Sequence, residues 1–186
     1  PRSAFVSGQP FRVSAVAKAS AVDSTGGYVR SLEGKIALVT GAARGIGDRA
    51  GFYEQTGALR DVVQNHVMQI LALTAMEPPI TIEADAIRDE KLKALRAVAI
   101  PAVDRVHDSV VPAQYTEGWV AGHRVPAYLD EPGVHPNSRT ESYVALRLKI
   151  DNWRWAGVPF YLRTGKRMAR RVSEIAIRFR PVPQRL

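Results

Sequence analysis

Three sets of residues in this chain of 186 residues have types and spacing suited to chemistry. The first is a polar cluster, Asp61, Gln64, Asn65 and His66, on the front half of a run from Gly57 to Pro79 that otherwise turns apolar. An unperturbed imidazole titrates near ~6.5, so His66 can accept a proton from a hydroxyl close to neutrality. Read alone, His66 is better taken as a structural histidine bonded to a backbone carbonyl. The second set is Gly41, Gly45 and Gly47, which follow the apolar stretch Lys35 to Val39. Glycines in that position let a backbone pass close to a pyrophosphate, and a helix opening after them presents unpaired N–H groups to it. The third is a basic segment: residues 139–186 hold 12 Lys/Arg against 3 Asp/Glu, which accounts for the whole formal charge of +8. Fixed cations there, Lys166 and Arg171 among them, would suit a phosphorylated ligand, and the same charges also read as solvated strand faces. Arg167, Arg170 and Arg171 are interchangeable candidates at this level.

These residues need elements to hold them. Gly57 and the pair Pro78-Pro79 bracket one long helix, because proline lacks the N–H and clashes with the preceding turn. Its second half, Val67 to Ala75, is apolar nearly all round and is expected to be buried. Residues 84–97 start acidic and end basic, as a second helix would to suit its dipole. Leu146, Leu148 and Ile150 alternate with Arg147, Lys149 and Asp151, and Ile175, Ile177 and Phe179 alternate with Ala176, Arg178 and Arg180. Such period-two patterns predict half-buried strands of an antiparallel sheet from about Glu141 onward. Phe5-Val6 and Phe11 to Val13 are short β-type runs, and residues 15–30 are small, polar and glycine-containing, as linkers are. The expected class is α+β: a long buried helix packed on a partial antiparallel sheet. Ahead of it comes a loose N-terminal third with a short strand-and-turn leader resembling the start of a Rossmann fold.

Composition narrows the functional classes. With no cysteine, disulfides, thiolate metal sites and thiol catalysis are excluded together, and a cytoplasmic setting fits. No metal site is expected. No apolar run approaches the roughly 20 residues of a membrane span, and the residues from Pro1 to Phe5 do not read as a signal peptide. They read as a chain cut from something longer. No aromatic-interleaved RNA-binding motif, zinc finger or helix-turn-helix accompanies the positive charge, so nucleic acid is not expected as a partner.

The run Arg60-Asp61-Val62-Val63-Gln64-Asn65-His66, with Ala75-Met76-Glu77-Pro78-Pro79 after it, resembles the substrate domain of the glucose-6-phosphate dehydrogenase family. The resemblance continues through Gln114-Tyr115, Glu131-Pro132-Gly133-Val134 and the stretch Asn152 to Lys166, in which Trp153 and Trp155 are expected as core or interface anchors. It implies that His66 takes the proton from the C1 hydroxyl of glucose 6-phosphate and that Asp61 binds sugar hydroxyls. Lys166 and Arg171 would contact the substrate, NADP would be the coenzyme, and copies would assemble through the sheet. The family's nucleotide fold and its Arg-Ile-Asp-His-Tyr-Leu-Gly-Lys motif are not matched, so residues 1–186 alone are expected to show negligible turnover.

Ser31 to Lys35 followed by Thr40 to Gly47 is similar instead to the coenzyme turn of short-chain dehydrogenases/reductases, with Gly41, Gly45 and Gly47 in the cofactor-binding positions. Ser3 to Gln9 resembles the last strand of such a domain. The family's Tyr-x-x-x-Lys pair is absent. These two resemblances imply a chimera, with a reductase fragment over 1–47 joined to a dehydrogenase fragment over 48–186. Three functions stay open on the residues: a glucose-6-phosphate dehydrogenase segment, a short-chain reductase segment, or a noncatalytic module that self-associates through its sheet.

Overall fold

The computed structural model describes residues 5–6, 9–10, 12–15, 35–41, 50–120, 122–168 and 171–178, with side chains described from residue 51 onward. The N-terminal strands are β1 (Phe5–Val6), β2 (Gln9–Pro10), β3 (Arg12–Ala15) and β4 (Lys35–Gly41). A helical stretch follows: α1 (Ala50–Ala58), a π-helical segment (Leu59–Val67) and α2 (Met68–Ala75). After α3 (Ala84–Arg96) come β5 (Val110–Ala113), the small hairpin β6 (Gly118–Val120) and β7 (His123–Val125), then β8 (Tyr143–Lys149), β9 (Pro159–Gly165) and β10 (Val172–Arg178).

One sheet of six strands, ordered β3-β10-β4-β9-β8-β5, organises the fold. β8 and β9 are antiparallel, in keeping with the antiparallel sheet expected from about Glu141, although β9 itself was not expected as a strand; β4 runs parallel to β9 and β3 parallel to β10. The sheet is therefore mixed. Alternation marks a half-buried strand without saying which way its neighbours run. The strand expected to belong to the leader, β4, lies between β9 and β10, with Leu38 opposite Leu162 on one side and Ile175 on the other. Pro112 is accommodated because β5 is, among the described strands, an edge strand paired to β8 alone, where a missing N–H costs no ladder bond. Phe179, expected to continue the last strand, lies outside the described residues.

The core forms where the inward residues of the sheet meet the long helical stretch. Val144 and Leu146 of β8, Phe160 and Leu162 of β9 and Ile175 of β10 pack with Val63, Val67, Ile70 and Leu71. Leu71 and Phe160 are fully buried, and each such side chain stabilises the fold by about 1.5–3 kcal/mol relative to exposure. The helix ends at Ala75 rather than at the prolines, with Met76 already extended at φ −66°, ψ 156°. Pro78 has no N–H to offer the helix, and its ring would clash one turn back. Arg154 then clamps the exit by binding both carboxylate oxygens of Glu77. Trp155 behaves as an anchor: it donates from Nε1 to the Ala75 carbonyl (2.9 Å) and meets Phe160 edge-on at 5.3 Å. Trp153, in contrast, is fully exposed and is not a core residue. Among the described residues, no helix is long and apolar enough to cross a membrane.

Candidate functional site

The helix that carries Asp61 and His66 begins at a sharp break. Gly57 adopts φ 64°, ψ −176°, a region open in practice only to glycine. Immediately after it, Glu141 caps the restarted helix across the fold. Its backbone carbonyl accepts from Ala58 N–H (3.0 Å) and its carboxylate from Leu59 N–H (2.8 Å). A carboxylate at a helix start satisfies otherwise orphaned donors and complements the dipole.

The segment Leu59–Val67 is wider than an α-helix: at its end Met68 N–H donates to the carbonyl of Val63, five residues back. Asn65 Nδ2 likewise reaches the Arg60 carbonyl at 3.3 Å. On an α-helix at about 100° per residue, positions 61 and 66 would sit ~140° apart around the axis. With turns that close at five residues they come close to one face. Val63 and Val67 are buried on the side that packs inward, and His66 is exposed. Asn65 is thus held by the backbone, which leaves the aspartate and the imidazole as the reactive pair of this face.

Lys166 arrives from the sheet. It follows Gly165, the last residue of β9, where a Cβ would come within 2.7 Å of the Tyr143 ring on the neighbouring strand. Its own N–H donates to the Ser142 carbonyl (2.9 Å). The ammonium lies 4.0 Å from Asp61 Oδ2 and 4.8 Å from the centroid of the Tyr53 ring. Two residues far apart in sequence, both singled out from it, therefore meet in space, and each side chain is only about a fifth exposed, at 22% for Lys166 and 20% for Asp61.

Of the interchangeable arginines, Arg167 is already engaged. Held at a left-handed φ of 52°, it donates to Glu131 Oε1 at 2.8 Å, the oxygen that also accepts from the Tyr115 hydroxyl at 2.8 Å. Its guanidinium lies 6.0 Å from the Tyr115 ring centroid, and the buried Glu131 carboxylate raises its already high pKa. Arg171 is exposed just before β10, and Arg170 lies outside the described residues. The glycine turn is only partly described: Gly41 closes β4 with Gly165 and Val172 opposite it, while Gly45 and Gly47 lie outside the described residues. Sequence reasoning missed Tyr53, the Tyr115–Glu131–Arg167 network and the Glu141 cap. The Gln114-Tyr115 and Glu131-Pro132-Gly133 stretches were visible as loops, but nothing local announces which residues they bind.

Three tyrosines lie beneath this site. Burial, reinforced by the carboxylates of Asp61 and Glu141 for Tyr53, Glu131 for Tyr115 and Glu54 for Tyr128, pushes all three phenols well above the ordinary value near 10. The folded state thus keeps protons that the unfolded chain loses above about pH 10. Stability is fully present below that pH and falls as pH rises beyond it, by about 1.4 kcal/mol per pH unit for each tyrosine. We expect base titration to show tyrosinate absorbance from these residues appearing together with loss of the folded circular-dichroism signal. Three phenols ionising near pH 10 in the intact fold would contradict this.

Among the described residues, no group of three or more His, Asp or Glu side chains is arranged to hold a metal ion. The side chains brought within reach of one another are a carboxylate and an ammonium, Asp61 and Lys166, and the exposed His66 stands on the helical segment that carries Asp61. The family described as glucose-6-phosphate dehydrogenase, C-terminal domain, matches residues 32–186, beginning upstream of β4. A glucose-6-phosphate 1-dehydrogenase of Bacillus subtilis is 51% identical over 151 residues, covering 81% of this chain and 31% of that protein. One from Rhizobium meliloti is 50% identical over 150 residues, covering 80% of this chain and 30% of its own length. A solved glucose-6-phosphate dehydrogenase in complex with its substrate glucose-6-phosphate superposes with a TM-score of 0.72 at 36% identity, over 82% of this chain and 30% of that one. The crystal structure of the Mycobacterium avium enzyme gives 0.66 at 43% identity, over 81% and 31%. The chain spans about a third of the length of the relatives it matches.

Proposed function

The chain belongs to the glucose-6-phosphate dehydrogenase family, and from that premise we propose that the Asp61–His66 face and Lys166 form the sugar-phosphate side of a dehydrogenase site. The observation that carries this reading is the meeting of Asp61 and Lys166, 4.0 Å apart, with the exposed His66 five residues along the same π-helical segment. His66 removes the proton of the sugar's C1 hydroxyl, which readies C1 for oxidation toward the lactone. Asp61 accepts hydrogen bonds from ring hydroxyls, while Lys166 and Arg171 orient the phosphorylated substrate as fixed cations.

NADP would accept the hydride in the whole enzyme. Among the described residues nothing forms a dinucleotide cradle: Gly41 ends β4 between β9 and β10, and Gly45 and Gly47 lie outside the described residues. Coenzyme binding therefore falls to parts of the family's fold beyond this segment, and a reductase role for Gly41, Gly45 and Gly47 gains nothing from the geometry. The sheet face away from the helices, which carries Arg147 and Tyr161, is the surface through which a second copy of the chain would pair. Titration of the chain with glucose 6-phosphate, followed residue by residue, is the direct test. Binding that perturbs Asp61, His66 and Lys166 together is expected, and saturation without any change at these residues would refute the reading.

A further inference from the structure

Tyr53 is a large polar residue that neither the family reading nor the proposed chemistry uses. It is 3% exposed, and its buried hydroxyl has no hydrogen-bond partner among the described residues. An unpaired buried hydroxyl is costly, so its retention calls for a compensating role for the residue. Its ring face is turned toward the one ammonium of the site: Lys166 Nζ lies 4.8 Å from the centroid, within cation–π range.

We propose that Tyr53 is a positioning residue that, with Asp61, seats the Lys166 ammonium for the sugar phosphate. A lysine side chain has four rotatable bonds, and at the end of a strand it would sweep a wide volume. Asp61 restrains it on one side at 4.0 Å and the Tyr53 face on another at 4.8 Å. The seat is rigid because the ring is packed into the core cluster and the backbone of Lys166 is pinned to Ser142. The next residue is pinned as well: Arg167 is bound to Glu131 and set over Tyr115. Two successive cations thus sit over two tyrosine rings, one as anchor and one facing ligand. Burial raises the phenol's pKa, so the ring meets the ammonium as a neutral quadrupole and not as a second anion beside Asp61.

The value of this seat for binding rests on the sugar-phosphate reading, but the seat itself is observable without ligand. In the free chain, the Lys166 ε-methylene protons should resonate upfield of those of other lysines, shifted by the Tyr53 ring current. Tyr53→Phe keeps a ring and removes the orphan hydroxyl, so it should preserve the shift and the affinity for glucose 6-phosphate. Tyr53→Leu should abolish the shift and weaken binding by about five- to tenfold, with amide signals of β8 and β9 otherwise retained. An unshifted Lys166 resonance in the unaltered chain would overturn the proposal, and that measurement needs no variant to fold. A shifted resonance with no binding of glucose 6-phosphate would uphold the seat and reject the substrate reading. Equal affinity in Tyr53→Leu and the unaltered chain would overturn the positioning role.

Discussion

Replacing His66 with asparagine is expected to lower kcat for glucose 6-phosphate oxidation by about 10²- to 10⁴-fold, the range for loss of a positioned general base. The measurement suits a graft in which the Bacillus subtilis relative, 51% identical over the matched region, carries residues 50–178 of this chain in place of its own. Asparagine keeps the size and hydrogen-bonding edge of the side chain but cannot take the proton. Because Asp61 and Lys166 remain in place below it, KM should change little, within about threefold. A fall in kcat at constant KM is the mark of an interaction made in the transition state alone. A graft whose His66→Asn variant turned over at the unaltered rate would remove His66 from the chemistry. A variant whose KM alone rose would make it a binding residue.

The second large effect is structural. Gly57→Ala is expected to destabilise the fold by about 2–4 kcal/mol, from two sources. A side chain at φ 64°, ψ −176° is strained by about 1–3 kcal/mol. Its Cβ would also meet the Glu141 carboxylate, with Cδ only 2.7 Å away, displacing the group that caps Leu59 N–H, and loss of a helix cap costs about 0.5–2 kcal/mol. Since the same helix start leads directly into the Asp61–His66 face, the variant should lose both stability in urea and affinity for the sugar phosphate. A midpoint unchanged from the unaltered chain would show that the backbone at 57 is not held in this conformation.

Much of the site was legible because its signals are local. The polar front and apolar back of the Gly57–Pro79 run placed His66 and Asp61 on a buried helix, and Lys166 stood at the end of a stretch specific enough to carry a family resemblance. The π geometry was not legible. Nothing in Leu59–Val67 distinguishes a five-residue turn from a four-residue one, yet this spacing is what turns Asp61 and His66 toward one face. β9 carried the alternation Phe160, Leu162, Thr164 in plain view, with the first two buried in the core and Thr164 buried beside Tyr143's strand. The run Asn152 to Lys166 was legible by its family character and not by its period. β4 was legible as a strand but not as an inner strand of this sheet, because its partners lie more than a hundred residues downstream in order and direction no local pattern encodes. The same holds for Glu141 at Leu59, Arg167 at Glu131 and Tyr53 under Lys166: each contact is tertiary, and each residue type is unremarkable where it stands.

A sugar phosphate is expected to bind across the His66 imidazole and the Lys166 ammonium. Heteronuclear NMR of this chain titrated with glucose 6-phosphate, with glucose and inorganic phosphate as separate controls, tests that directly. Saturable shifts are expected at Asp61, the His66 imidazole and Lys166 with glucose 6-phosphate, weaker or partial shifts with phosphate, and none of comparable extent with glucose. Shifts confined to the exposed arginines, identical for glucose 6-phosphate and inorganic phosphate, with Asp61 and His66 unmoved, would contradict it.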